Sequence, residues 1–186
     1  MQKNRKSKIT AKSITITALM IAISVAIGIV CKTTLNFGGG LFRITFENLP
    51  IILSGIMFGP VIATVVGVAT DLISYLLSPQ IYPPNLIVTL GAAAVGFLSG
   101  FISHTVIKKR GYAQIIISAL TAHSVGSMII KSIGLFSFYG WAVVWRVPTY
   151  IVIAAVEITL MCLLYKNATF RKLIEKNSKT NKINKE

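Results

Sequence analysis

Charged residues are scarce in this sequence, and acidic ones are the scarcest. Only 13% of the 186 residues are charged, and Asp and Glu together number five against nineteen Lys and Arg. With 54% hydrophobic residues and a mean hydropathy of +0.73, the composition excludes an ordinary soluble domain. Several apolar runs approach or reach the roughly 20 residues that a helix needs to cross a bilayer. The sequence therefore predicts an all-α membrane protein.

Motifs typical of enzymes and of nucleic-acid-binding proteins are absent as well. There is no His-Glu-x-x-His, no Gly-x-Ser-x-Gly and no Walker lysine, so we expect no catalytic residue, no enzyme activity and no cofactor. His104 and His123 are isolated, which argues against a metal site. Basic and aromatic residues are not interleaved, so the net charge of +14 does not indicate nucleic acid. Cys31 and Cys162 are expected at opposite membrane faces, where they cannot pair.

The apolar runs and the turns between them predict a bundle of six transmembrane helices. The expected helices cover residues 14–30, 44–58, 60–77, 85–107, 112–136 and a last stretch that ends near residue 165. Gly38-Gly39-Gly40 separates the first two and forms either a lid or a plain connector. We expect residues 1–12 to be a basic cytoplasmic N-terminus, 13–166 the substrate-binding bundle and 167–186 a basic cytoplasmic tail.

The positions of the basic residues predict the orientation of this bundle. Five Lys and Arg precede the first helix, three lie between the fourth and fifth, and seven lie from Lys166 onward, which makes fifteen of nineteen. The other four are Lys32, Arg43, Lys131 and Arg146, all near the opposite side. Because cytoplasmic loops carry an excess of Lys and Arg, both termini are expected in the cytoplasm of a multi-pass protein of the cell membrane.

Polar residues gather in the half of the bundle that this orientation places outside. Gly59, Ala63, Gly67 and Asp71 recur every four residues, so the glycines set this line against neighbouring helices and Asp71 points into the bundle. Charged residues inside a membrane span indicate function by default. The predicted pocket comprises Arg43, Glu47, Asp71, Tyr75, Tyr82, Asn85, Lys131, Tyr139, Trp141 and Arg146. Such a pocket suits a flat, polar, partly anionic small molecule.

Two further features bear on partners and on pairing within the bundle. Ala18, Ala22 and Ala26 form a smooth stripe on the first helix, which serves either internal packing or the docking of another protein.

Arg43 and Glu47 would lie one turn apart on the second helix and could pair there. Glu157 lies deeper than the pocket and is interpreted as structural or as a partner contact. A binding pocket without an energy source indicates a subunit that needs partners.

Three parts of the sequence carry a resemblance to a known family. They are Ala18-x-x-x-Ala22, the segment LFRITFENLPIILSGIMFGPVIATVVGVATDLISYLLSP from Leu41, and WRVPTYIVIAAVEITLMCLLYK from Trp145. Together the chain from about residue 12 to 166 resembles the substrate-binding S components of energy-coupling factor (ECF) vitamin transporters, and among them the folate type. The turn Tyr82-Pro83-Pro84-Asn85 departs from the Phe-Pro-Gly-Phe of folate-type members.

The resemblance implies a function for each part of the bundle. Vitamin would bind near the outer face, beneath the loop between the first two helices. Asp71 or Glu47 would bind the pterin edge, the aromatic residues would stack on it, and Arg43, Lys131 or Arg146 would meet carboxylates. The alanine stripe would dock on a transmembrane coupling protein driven by two ATPases, and toppling of the S component would carry the vitamin inward.

Two alternatives to a folate-binding S component remain open from the sequence. The first keeps the family but changes the vitamin, for example to pantothenate or a pyrimidine precursor. The second is a stand-alone secondary carrier or a small membrane enzyme.

Overall fold

The computed structural model of the chain describes residues 11–37, 42–77, 85–107, 111–172 and 174. Helices make up nearly all of it. They are α1 (Ala11–Thr34), α2 (Asn48–Phe58), α3 (Pro60–Leu77), α4 (Leu86–Phe101), α5 (Tyr112–Thr121), α6 (Lys131–Tyr139) and α7 (Arg146–Lys166). A π-helical turn (Ile102–Val106) extends α4, a π-helix (Ala122–Ile130) joins α5 to α6, and a 3-10 helix (Gly140–Trp145) joins α6 to α7.

A short β-ribbon follows α1. Strand β1 (Asn36–Phe37) pairs antiparallel with β2 (Phe42–Arg43), with Asn36 opposite Arg43 and Phe37 opposite Phe42. The backbone N–H of Ile44 then donates to the carbonyl of Leu35 at 3.1 Å. Because these pairings hold the chain in a ribbon, the predicted second helix from residue 44 starts too early, and α2 begins only at Asn48. Arg43 and Glu47 therefore do not share a helix.

All 55 residues from Tyr112 to Lys166 are helical, yet this segment folds back on itself. A straight helix of that length would separate its ends by about 80 Å. Instead the rings of Tyr112 and Tyr165, at opposite ends of the segment, lie 5.2 Å apart. Gly140 adopts a φ of +54°, which other residues rarely take, and it marks the reversal between α6 and α7. The predicted turn around residues 138–141 is confirmed.

Helix α2 forms the centre of the bundle. All but one of its residues are buried, including Ile51, Ile52, Ile56 and Met57, and it contacts α1, α3, α4, α5 and α7. A helix that is apolar on all sides is expected in an interior position. Pro50 falls in its first turn, where a backbone N–H has no partner within the helix to lose, so proline is tolerated there.

Glycines and alanines bring α3 and α4 into close contact. A side chain at Gly67 would collide with the backbone carbonyl of Ala92, and one at Gly96 with the carbonyl of Ala63. These contacts lie on the line predicted from Gly59 to Asp71. The close approach of the two backbones fixes the direction in which Asp71, one turn beyond Gly67, faces its neighbours.

The outer surface of the bundle is apolar, as in a protein surrounded by lipid. Large hydrophobic side chains are exposed on every long helix, among them Leu76 at 80% and Leu86 at 75%. Within the described residues, Ser13–Thr34, Pro60–Leu77, Leu86–Val106 and Tyr112–Lys166 are long and apolar enough to cross a membrane, and Asn48–Phe58 is a shorter apolar helix. Exposed apolar surface on this scale is rare in soluble monomers.

Candidate substrate-binding site

A polar cavity opens where one end of the helices meets the segment before α2. Its empty volume, including open solvent at its mouth, is about 740 Å³. Its lining comes from the end of α1, the segment before α2, the last turns of α3 and the first turns of α4, α6 and α7. The lining residues are Lys32, Thr45, Glu47, Asn48, Asp71, Leu72, Tyr75, Asn85, Val88, Thr89, Lys131, Leu135, Arg146 and Tyr150.

Glu47 connects the cavity to α1 and α6. Its carboxylate lies 3.3 Å from the ammonium of Lys32 and 3.7 Å from that of Lys131. Its backbone carbonyl accepts a hydrogen bond from the hydroxyl of Ser24 on α1. A side chain at Gly28 would lie 2.8 Å from Oε2 of Glu47, so glycine at this position leaves room for the carboxylate. Glu47 is therefore fixed from three directions, and its charge is balanced by two lysines.

Asn48, the first residue of α2, extends this arrangement inward. Its amide oxygen accepts a hydrogen bond from Lys131 Nζ at 3.4 Å, and its amide nitrogen donates to Ser127 Oγ at 3.2 Å. All three side chains are buried. Burial of a lysine is costly unless its charge is paired and hydrogen-bonded, and Glu47 and Asn48 meet that need.

Asp71 has a different environment from Glu47. Its Oδ2 accepts a hydrogen bond from the hydroxyl of Thr89 on α4 at 2.7 Å. Among the side chains that the structure describes, no cation lies within ion-pair distance of this carboxylate. It lines the cavity and is only partly buried. Asp71 thus presents a carboxylate that can accept hydrogen bonds from a bound molecule.

Arg146 and Tyr150 supply a cation and an aromatic ring from α7. The guanidinium donates to the hydroxyl of Tyr150 at 3.0 Å, and both side chains are buried at the cavity. A guanidinium offers a planar set of donors that matches a carboxylate. Among the lining residues that the structure describes, Lys32, Lys131 and Arg146 stand against Glu47 and Asp71, an excess of one positive charge. The cavity can therefore hold an anionic molecule that also has hydrogen-bond donors.

The comparison with protein families identifies the class of protein. A family model described as the substrate-specific component of ECF transporters matches residues 12–174. The chain belongs to this family. The family consists of transporter components, which agrees with the expected membrane protein.

Individual relatives of this ECF S component match parts of the sequence. The folate transporter FolT of Clostridium novyi is 29% identical over 93 residues, which cover 50% of this chain and 54% of the relative. An uncharacterized protein of Mycoplasma pneumoniae is 28% identical over 110 residues, which cover 54% of this chain and 22% of the relative. The chain thus spans about half, or less, of the length of these curated relatives.

A solved structure shares the fold of this S component. The crystal structure of FolT bound with folic acid matches with a TM-score of 0.61 over 90% of this chain and 95% of that chain. The sequences are 24% identical, so this likeness establishes the fold.

The structure brings six of the ten predicted pocket residues together around the cavity. They are Glu47, Asp71, Tyr75, Asn85, Lys131 and Arg146. Asn85 also has a structural part, because its amide oxygen caps α4 by accepting from the N–H of Ile87 at 2.9 Å and its amide nitrogen donates to the carbonyl of Gly134 at 2.5 Å. Tyr82 lies outside the described residues, and for Arg43 the structure describes the backbone in β2 only.

Two predicted aromatic residues lie away from the cavity. Tyr139 ends α6 and is not in the cavity lining. Trp141 is 81% exposed and contacts the ring of Phe136 at a centroid distance of 5.8 Å. It borders a separate apolar groove with Val144 and Val147. The chain reversal at Gly140 directs Trp141 outward. The sequence placed Trp141 near the mouth of the predicted pocket but could not show which way its side chain points.

Several lining residues were missed by the sequence reasoning. Lys32 was counted only as a basic residue near the outer side, although it lies in the last turn of α1 beside Glu47. Asn48 and Thr89 are short polar residues whose roles are set by hydrogen bonds to partners far away in the sequence. Asn48 accepts from Lys131, and Thr89 donates to Asp71. For Tyr150 a signal was available, since it lies one turn from Arg146 on the same helix.

The alanine stripe of α1 faces away from the bundle. Ala18, Ala22 and Ala26 are all exposed, whereas Ser24 and Gly28 on the opposite face are buried. The alanine stripe therefore lies on the surface of the part of the chain that the structure describes.

Proposed function

We propose that this S component is the substrate-binding subunit of an ATP-driven vitamin importer and that its vitamin is a folate. The observation that carries the proposal is the carboxylate of Asp71, which lines a cationic cavity without an ionic partner among the described side chains. Family membership supports the class of protein. The likeness in sequence to the folate transporter FolT and in fold to FolT bound with folic acid supports the choice of vitamin.

In this proposal, each end of the vitamin meets a different part of the cavity. The carboxylate of Asp71 accepts two N–H donors from the aminopyrimidine edge of the pterin. Tyr75 and Tyr150 offer aromatic surfaces beside it. Arg146 and Lys131 meet the carboxylates at the other end, where charge-assisted hydrogen bonds are the strong ones. Glu47, already balanced by two lysines, limits the positive charge of the empty cavity.

The proposed topology has six crossings with both termini in the cytoplasm. The fold-back of the Tyr112–Lys166 segment supplies two crossings, and α1, α3 and α4 supply one each. Helix α2 is about 16 Å long at 1.5 Å per residue, so we propose that residues 44–47 before it complete the crossing. The predominance of Lys and Arg in the N-terminus, the 108–110 loop and the tail supports a cytoplasmic position for all three.

The proposed partner of the alanine face (Ala18, Ala22 and Ala26) is a transmembrane coupling protein driven by two ATPases. Its exposure on α1 supports this assignment. In a membrane, small residues allow another helix to approach closely, and the resulting van der Waals contacts replace the missing hydrophobic drive. In this arrangement the vitamin is captured at the outer face and delivered inward.

A second candidate ligand is a different anionic vitamin within the same family. It is favoured by Asn85, which lines the cavity where folate-type members have an aromatic residue. A thermal-shift assay of the detergent-solubilised chain against a panel of vitamins tests both candidates. A ligand at 100 times its dissociation constant adds about 2.7 kcal/mol to stability. We expect folic acid to give the largest shift, and a larger shift from pantothenate or a pyrimidine would replace folate in the proposal.

A further inference from the structure

A second group of ionisable side chains lies outside the cavity and deeper in the bundle. His123 of the π-helix and Glu157 of α7 face each other, with Nε2 2.7 Å from Oε2. His123 is 1% exposed and Glu157 is fully buried. Ionisable side chains in membrane spans are costly, and those that occur are mostly functional. The binding of a vitamin as proposed above makes no use of this pair.

The His123–Glu157 pair has room for an additional proton. When electrically neutral it holds one shared proton, either as imidazolium with carboxylate or as imidazole with carboxylic acid. Among the described residues, His123 Nδ1 and Glu157 Oε1 have no hydrogen-bond partner. A second proton can therefore reside on Oε1 while the imidazolium remains, which gives the pair a net positive charge.

Polar side chains lead from the pair to the cavity. His123, Ser127 and Lys131 recur every four residues along the π-helix and into α6. Ser127 accepts from Asn48 at 3.2 Å, and Asn48 accepts from Lys131 at 3.4 Å. Asn48 and Lys131 line the cavity, so this row of polar side chains extends from the cavity toward the pair. π-helical segments occur frequently at functional sites.

Few other charges act on the pair. Helices α2 and α4, which pack against it, contain no titratable side chain. Lys131 on α6 and Glu47 before α2, both at the cavity, act electrostatically on Glu157, and Arg146 lies at the start of α7. The other titratable side chains on these elements are Tyr150 and Cys162 on α7 and Tyr112 of α5, which contacts Tyr165 at the far end. A change of charge in the cavity is therefore the main electrostatic influence on the pair.

We propose that the His123–Glu157 pair is a proton-binding site whose occupancy rises when an anion enters the cavity. The inference rests on the proposed function only in taking the vitamin to be anionic. Tyr150 at the cavity and Glu157 are seven residues apart on α7, roughly 10 Å at 1.5 Å per residue. At that distance and an effective dielectric constant of about 20, one bound negative charge increases proton affinity about tenfold. The added proton is supplied by the buffer in the surrounding solution.

Isothermal titration calorimetry of folic acid binding in buffers with different ionisation enthalpies tests this proposal. The dependence of the binding enthalpy on buffer gives the number of protons taken up. We expect uptake of up to one proton per vitamin bound. Glu157→Gln should bind folic acid without this uptake. Cys162→Ser, a partly exposed change five residues along α7, should retain the uptake of the wild type.

Each outcome bears on one of the two proposals. Binding without proton uptake in the wild type, or undiminished uptake in Glu157→Gln, overturns the proton-binding site and leaves the proposed function standing. If Glu157→Gln does not fold, His123→Asn takes its place. Failure of folic acid to bind overturns folate as the vitamin. The pair is then tested by infrared titration with chloride as the added anion, where a protonated-carboxyl band should grow in the wild type. Absence of that growth contradicts the proposal.

Discussion

Asp71 differs from the other acidic side chain of the cavity in its surroundings. Glu47 is balanced by two lysines, whereas Asp71 accepts from a neutral hydroxyl and has no cation within ion-pair distance among the described side chains. The two carboxylates therefore have different roles. Glu47 holds the end of α1, the start of α2 and α6 together, and Asp71 meets the ligand.

Asp71→Asn should weaken folic acid binding about 10- to 100-fold. The amide keeps the size of the side chain and can still accept from Thr89, but it loses the charge and one acceptor for the pterin edge. Hydrogen bonds to charged groups contribute about 1.5–3 kcal/mol, which corresponds to this range. Titration calorimetry of the purified chain measures the change. Thr64→Val on the same helix, away from the cavity, is the control, and unchanged affinity in Asp71→Asn would refute the assignment.

Residues whose surroundings are set by their own helix were predictable from sequence, and those set by distant partners were not. Asp71 follows a line of small residues that had to pack, so its direction could be deduced. Asn48 and Lys32 gain their positions from Lys131 and Glu47, which no local spacing reveals. The outward direction of Trp141 depends on the backbone of Gly140.

Helix α1 contributes to two surfaces of the molecule. Ser24 and Gly28 face inward and hold the Glu47 segment, while the alanine face points outward. The division follows from helical periodicity, because residues four apart share a face. Sequence periodicity predicted the stripe, and only the packed bundle showed which way it faces. The start of α2 was misjudged for a related reason, since the β-ribbon that delays it is a pairing between two segments.

Ala22→Trp should abolish vitamin uptake while leaving vitamin binding intact. The bulky ring would keep a partner helix from approaching the alanine face, which lies away from the cavity. Uptake of labelled folic acid in cells that also express the coupling protein and both ATPases is compared with binding by the purified variant. Ile23→Trp, about 100° round the helix, is the matched control. Normal uptake by Ala22→Trp would show that docking occurs elsewhere.

At the scale of the whole molecule, the apolar exterior and the placement of basic residues define an orientation. Substitution of Cys31 and Cys162 by serine gives a background for single cysteines near each terminus and in the 38–40 loop. We expect a membrane-impermeant maleimide to label the loop in intact cells and the termini only after permeabilisation. Labelling of a terminus in intact cells would contradict the proposed topology of six crossings.

The central claim is that the cavity between α1, α3, α4, α6 and α7 binds an anionic vitamin of the folate type. The most direct test is identification, by mass spectrometry, of the small molecule that copurifies with the detergent-solubilised chain. The account predicts a folate at close to one molecule per chain in the wild type and its loss in Asp71→Asn. Recovery of an unrelated molecule, or of equal folate from both proteins, would contradict it.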